Sequence, residues 1–232
     1  MAPPHLRVEH DPAGYRRLLL SRPERRNALD LGLARALHDA LEQDETAPVV
    51  LGSSDSRMFC AGADLNVPDA DRATVSDLLY QCYEIMITRP GPVIAVVTGP
   101  AVGGGAQLAA AADLRIAGPA ARLRWIGPAG LGLAVGAWVL TDLVGRGTAM
   151  DLALTGRWVG AAEALAMGLV NRVEDDPGPV AAAIAEDLAA QGHKASASVK
   201  SMTAAGGLLD RLHAERQANS AAWTQAIASA EG

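Results

Sequence analysis

The stretch Val93–Asp113, VIAVVTGPAVGGGAQLAAAAD, constrains this chain more than any other. Val93–Val97 is apolar and mostly β-branched, as in a strand buried on both faces. Gly99-Pro100 breaks that strand. Gly103-Gly104-Gly105 then lets backbone approach a ligand closely. It also opens an Ala-rich helix whose first N–H groups have no internal partner. Met58–Asn66, MFCAGADLN, is a second turn of small residues and follows a short strand at Val49–Gly52. Two such loops can each present a free backbone N–H. A converging pair holds the negative charge that builds on a carbonyl oxygen.

Composition narrows the classes. With 232 residues, half of them apolar, the chain forms one large domain or one domain with an appendage. Aromatics are only 3%, so Ala, Leu and Val make the core. A net charge of −6 argues against broad nucleic-acid binding. Cys60 and Cys82 are the only cysteines, which excludes a disulfide framework and fits a reducing cytoplasm. The start MAPPHLRVEHD lacks the apolar segment of a signal peptide. Val93–Ala112 is long enough to span a bilayer, but Gly99, Pro100 and the three glycines interrupt it and Gln107 sits in its second half. A protein outside the membrane is expected.

The pattern along the chain predicts an α/β core. Leu6–His10 and Tyr15–Leu20 form a hairpin about Asp11-Pro12-Ala13-Gly14. Asp30 caps a helix carrying Leu33, Leu37 and Leu41. A second helix begins at Asp69–Asp71 and has Leu78, Leu79, Cys82, Ile85 and Met86 on its apolar face. After the Ala-rich helix come strands at Asp113–Ile116 and Arg122–Trp125, helices at Leu133–Val144, Thr148–Leu154 and Ala161–Met167, and a strand at Leu169–Val173. From Val180 the pattern is helical, punctuated by Gly192 and Gly206-Gly207. The expected division is a core over 1–190 and a helical region over 191–232.

Five segments, in order, together resemble the crotonase superfamily of enoyl-CoA hydratases and isomerases. They are Arg22–Asp30 (RPERRNALD), Met58–Leu65 (MFCAGADL), Gly99–Ala117 (GPAVGGGAQLAAAADLRIA), Gly130–Leu133 (GLGL) and Thr155–Val173 (TGRWVGAAEALAMGLVNRV). The resemblance implies a superhelix of ββα units and a C-terminal helical region that assembles a homotrimer or a dimer of trimers. It implies an acyl-CoA ligand, with coenzyme A as part of the substrate and no separate cofactor or metal. The thioester oxygen would sit between the N–H groups of Ala63 and Gly104, each such donor being worth roughly 3–4 kcal/mol to an enolate. Arg25, Arg26 and Ala28 would lie along the coenzyme, and Ala61, Asp64 and Leu65 would also belong to the substrate- and coenzyme-binding residues.

The departures from the family pattern are informative. Hydratases carry a glutamate three residues after the middle glycine, and here that position is Gln107. They carry a second glutamate before the Leu-Gly segment, and here the position falls on Pro128, or on Gly127 if the loop gap is put elsewhere; neither is a carboxylate. Hydration needs one group to activate water and one to deliver a proton, each worth roughly 10²–10⁴ in rate. An amide can hydrogen-bond but is no base, and proline does neither. Weak or altered hydratase activity is therefore expected, with an acyl-CoA binder or an isomerase using another carboxylate as the alternatives.

Other residues fit structural roles better. Asp64 suits a structural position, Asp142 a surface charge and Asp113 a cap. Cys60 has no nearby His in sequence and suits the core. The five histidines lie outside both glycine loops and show no metal-ligand spacing. Trp125 either lines the acyl pocket or packs in the core. Gly130–Gly136 lacks the spacing of a dinucleotide loop.

Overall fold

The structure is a computed structural model that describes residues 5–127 and 131–230. Its first half alternates strand and helix: β1 (Leu6–His10), β2 (Arg16–Leu20), α1 (Leu31–Glu42), β3 (Val49–Ser53), α2 (Asp69–Thr88), β4 (Val93–Val97), β5 (Pro100–Val102) and α3 (Gly104–Ala110). The second half begins with β6 (Leu114–Ala117), β7 (Arg122–Arg124), α4 (Ala137–Thr155), β8 (Val159–Gly160), α5 (Ala161–Ala166) and β9 (Arg172–Val173). Three helices follow: α6 (Pro177–Gln191), α7 (His193–Ala204) and α8 (Leu208–Ala230).

Two sheets result. The larger runs β1-β2-β3-β4-β6-β9, and the smaller runs β5-β7-β8. Apart from the β1–β2 hairpin, the strands of the large sheet pair in parallel. Strand alternation sends side chains to opposite faces. Val49, Leu51, Val93, Ala95 and Val97 enter the main core beneath α1, α2 and α3. Val50, Ile94, Val96 and Ile116 enter a smaller core, where α6 brings Ala181 and Ala185. With helices on both faces β4 has no solvent side, which is why its sequence is uniformly apolar.

The hairpin, the Asp30 cap and the strand–glycine–helix unit stand where the sequence places them. Asp30 accepts the Leu33 N–H at 2.8 Å. Two boundaries differ. Leu133–Gly136 is not helical. Asn219 on α8 bonds both the N–H and the C=O of Ala134, at 2.9 and 2.7 Å, and Gly136 takes φ 78°. The expected break between two helices is present: within α4 the backbone of Gly145, at φ 75° and ψ 156°, is not helical and separates two helical stretches. Leu169 and Val170 turn their N–H groups to the Ala164 carbonyl, ending α5, so the last strand shortens to Arg172–Val173.

The terminal helices lie against the core of their own chain. Lys200 on α7 donates to Asp113 at 2.6 Å and to the Met86 carbonyl at 2.8 Å. On α8, Arg216 pairs with Asp77 of α2 at 2.6 Å. Among the described residues, no helix is long and apolar enough to cross a membrane.

Candidate functional site

The two glycine loops meet. Val102 donates to the Cys60 carbonyl at 2.9 Å, and Phe59 donates to the Pro100 carbonyl at 3.0 Å. Gly62, at φ +85°, leaves no room for a side chain: a Cβ there would stand 2.6 Å from the Val102 carbonyl oxygen and 3.5 Å from the Gly104 nitrogen. Gly103, at φ +54°, would bring a Cβ to 2.7 Å from the Ile126 carbonyl oxygen. Only glycine adopts these conformations at this proximity.

The approach frees two N–H groups. Leu29 donates to the Gly62 carbonyl at 2.8 Å, and Asp64 donates to the Leu29 carbonyl at 3.0 Å. The pleat therefore turns the Ala63 N–H away from Leu29. Gly104 is the first residue of α3 and has no carbonyl one turn back to accept its N–H. Ala63 and Gly104 line one cavity of about 170 Å³, together with Ala61, Leu65 and Gln107.

The facing wall is made by side chains. Gln107, one turn along α3 from Gly104, is 5% exposed, and its Oε1 accepts the Trp138 indole N–H at 2.9 Å. Tyr83 donates its hydroxyl to the Gly104 carbonyl at 3.0 Å, and its ring stacks on Trp138 with centroids 5.9 Å apart. Tyr80 donates to Glu215 at 2.8 Å and accepts from Asn219 at 2.8 Å. Glu215 also accepts the N–H groups of Gly136 at 2.8 Å and Trp138 at 3.0 Å, closing the start of α4. Burial pushes the Glu215 carboxyl up, although Tyr80 and the backbone N–H groups oppose the shift. Burial, and then the Glu215 charge, push the Tyr80 hydroxyl well above its usual range. Asn219 and Trp223 of α8, with Arg72 and Ser76 of α2, complete this side.

Other residues singled out from the sequence lie elsewhere. Arg25 and Arg26 are exposed on the loop before α1, and the Arg26 carbonyl accepts the Ala61 N–H at 3.1 Å. Ala28 is buried behind that loop. Asp64 is buried, 3.3 Å from the Arg22 guanidinium, and accepts the Asn66 N–H at 3.0 Å. Its own burial works against ionisation, but Asn66 and then Arg22 outweigh it and hold the carboxyl below the usual range. Trp125 packs in the core against Gly136, behind the cavity lining. Pro128 lies outside the described residues. Asp142 is exposed and pairs with Arg211. Asp113 accepts the Val93 N–H at 2.7 Å as well as the Lys200 bond. Cys60 is fully buried, and desolvation pushes its thiol up to about 12, which keeps it from acting as a nucleophile. Among the described residues, His38, Asp39 and Glu42 on α1 bring three possible metal-ligating side chains within 4.8 Å of one another; both carboxylates are exposed, and the group is no part of the cavity.

Sequence reasoning overlooked Tyr80, Glu215, Asn219 and Trp223. A signal existed. Glu215, Asn219 and Trp223 recur every four residues, one face of α8. In a chain with so few aromatics, Tyr80 and Tyr83 stand one turn apart on α2.

Two meeting glycine loops on a ββα scaffold define a crotonase-type fold. The crystal structure of enoyl-CoA hydratase from Bacillus anthracis superposes with a TM-score of 0.80 at 30% identity, covering 96% of this chain and 91% of that one. An enoyl-CoA hydratase/isomerase from Pseudoalteromonas atlantica gives 0.82 at 28% identity, over 98% and 93%. A protein of Mycobacterium leprae described as a probable enoyl-CoA hydratase is 37% identical over 69% of this chain and 68% of its own length. The match to a protein of the same description from Mycobacterium bovis spans 65% of that protein, so the chain matches about two thirds of the length of these relatives. The family model described as enoyl-CoA hydratase/isomerase matches residues 12–232. The chain belongs to the enoyl-CoA hydratase/isomerase family.

Proposed function

We propose that the cavity binds the thioester of an acyl-CoA, with its carbonyl oxygen between the N–H groups of Ala63 and Gly104. The observation that carries this reading is that these two N–H groups, neither taken by a backbone carbonyl among the described residues, border the same cavity. Ala61 and Leu65 flank the thioester, and Asp64 holds the loop through Arg22. The exposed Arg25 and Arg26 offer charge to the coenzyme phosphates. Coenzyme A enters as part of the substrate, and the reading requires no metal or separate cofactor.

The same reading makes the protein a weak hydratase. Gln107 cannot act as the base, because a side-chain amide is not basic near neutral pH, and its carbonyl oxygen is held by Trp138. Pro128 supplies no carboxylate. Loss of one general base is worth roughly 10²–10⁴ in rate. Incubation with crotonyl-CoA and longer 2-enoyl-CoAs, followed by enone absorbance, tests this. A rate within about tenfold of an ordinary hydratase refutes it. Calorimetry with acetyl-CoA and palmitoyl-CoA tests binding separately.

One observation favours a second reading, an isomerase-type enzyme with a different carboxylate. Glu215 reaches the cavity wall through the Tyr80 hydroxyl, and isomerisation of a double bond needs only one base. Failure to convert a 3-enoyl-CoA into the conjugated 2-enoyl-CoA, as monitored by enone absorbance, would rule it out. The family resemblance extends the proposal to a cytoplasmic homotrimer or dimer of trimers built through residues 191–232, which sedimentation equilibrium tests.

A further inference from the structure

Resting on the acyl-thioester reading of the cavity, this inference adds the class of acyl group. We infer that the cavity selects an acyl chain carrying an oxygen acceptor on carbon 3, a 3-oxoacyl thioester, through the Gln107 side-chain amide acting as a fixed donor.

The orientation of that amide follows from chemistry. An indole N–H only donates, so the atom of Gln107 that meets Trp138 Nε1 at 2.9 Å is the carbonyl oxygen. Trp138 is itself held: it is 1% exposed, its ring stacks on Tyr83 and its backbone N–H bonds Glu215. The Gln107 nitrogen is thereby presented on the other side of the amide. It stands within hydrogen-bonding reach of the Tyr80 oxygen, and Gln107 borders the cavity. The nearby Tyr80 oxygen already accepts from Asn219 and keeps one lone pair. Gln107 has two N–H bonds, so at least one is left for a ligand. An acceptor delivered by the ligand gives that second N–H a partner inside an otherwise largely apolar cavity.

The position suits carbon 3. Gln107 is three residues beyond Gly104, about 4.5 Å along the helix axis. An acyl group whose carbonyl oxygen is held at Gly104 runs past this amide two bonds further on. Much of the surrounding wall is apolar, formed by Val75, Leu79, Ile126, Leu133 and Val135, with Arg72 and Ser76 on the α2 side. In such a wall a carbonyl oxygen with no donor is disfavoured, so by default the site would prefer a plain chain. The sign of the preference therefore reports the donor.

Isothermal titration with acetoacetyl-CoA and butyryl-CoA, which differ in the carbon-3 oxygen, tests the inference on the intact protein. Acetoacetyl-CoA is expected to bind about tenfold tighter, the ratio of one net hydrogen bond. Gln107→Leu keeps the bulk and removes the donor, so the preference should vanish. Gln107→Glu replaces the donor with an anionic acceptor, so the preference should invert. Thermal melting establishes that each variant is folded, and the wild-type comparison stands without either. Equal or weaker binding of acetoacetyl-CoA by the wild type overturns the inference while leaving the thioester reading intact, as does a preference that survives in both variants. Failure of both thioesters to bind overturns the inference and the reading together.

Discussion

Asp64 and Glu215 are both buried carboxylates beside one cavity, 4% and 6% exposed, and their surroundings differ in kind. Asp64 faces a cation, the Arg22 guanidinium at 3.3 Å, and takes two bonds from Asn66. Glu215 pairs with no cation among the described residues; its partners are a tyrosine hydroxyl and backbone N–H groups. Asp64 is held in its charged form and Glu215 is pushed toward its neutral form. Burial alone therefore does not mark a group suited to proton chemistry. The balance between that burial and the hydrogen bonds and charges of its partners decides. Asp64 pins the loop that presents Ala63, whereas Glu215 has the raised affinity for a proton that acid–base work uses.

Four experiments sharpen or break this contrast. Glu215→Ala should give the largest effect, because it leaves the Tyr80 hydroxyl and two backbone N–H groups unpaired. The expected destabilisation is on the order of 3–5 kcal/mol in urea unfolding, and a loss below about 1 kcal/mol would mean that water replaces the carboxylate. Asp64→Asn should cost less, about 2 kcal/mol, since Arg22 keeps Asp30 at 3.1 Å. Equal losses in the two variants would erase the distinction.

The third experiment uses pH, and its signs are opposite at the two sites. Glu215 binds its proton more tightly when folded. Its contribution is fully present below the ordinary value of 4.5 and is lost as pH rises through the folded value. The stability gap between wild type and Glu215→Gln should therefore shrink from acid toward neutral pH. Asp64 loses its proton more readily when folded. Its contribution is present above 3.8 and is lost as pH falls through the folded value. The gap between wild type and Asp64→Asn should grow with rising pH. Gaps moving in the same direction would contradict the assigned surroundings. The smallest effect is expected from Gln107→Glu on crotonyl-CoA hydration, a change of less than about tenfold. A larger recovery would show that a second acid already stands in the cavity, with Glu215 acting through Tyr80 as the group to examine first.

Much of the fold was legible because its signals are local. The apolar run at Val93–Val97, the Asp30 cap and the proline–glycine breaks each act within a few residues. The helix expected at Leu133 misled for the opposite reason. Its spacing is helical, but Asn219, 85 positions away, takes both backbone groups of Ala134 and keeps the segment out of a helix. The candidate site divides in the same way. The loops bearing Ala63 and Gly104 could be read from their glycines, whereas Trp125 had two equal readings until packing placed it behind the cavity.

By itself the sequence determined the two glycine turns, the strand that feeds each of them and the amide at Gln107, because φ above zero, strand periodicity and side-chain chemistry belong to single residues or short runs. Only the tertiary structure decided what that amide faces and which carboxylate stands behind the cavity. Trp138 reaches Gln107 across 31 positions and Glu215 reaches Tyr80 across 135. Such pairs form when helices pack, and the spacing of residues along the chain carries no record of that packing.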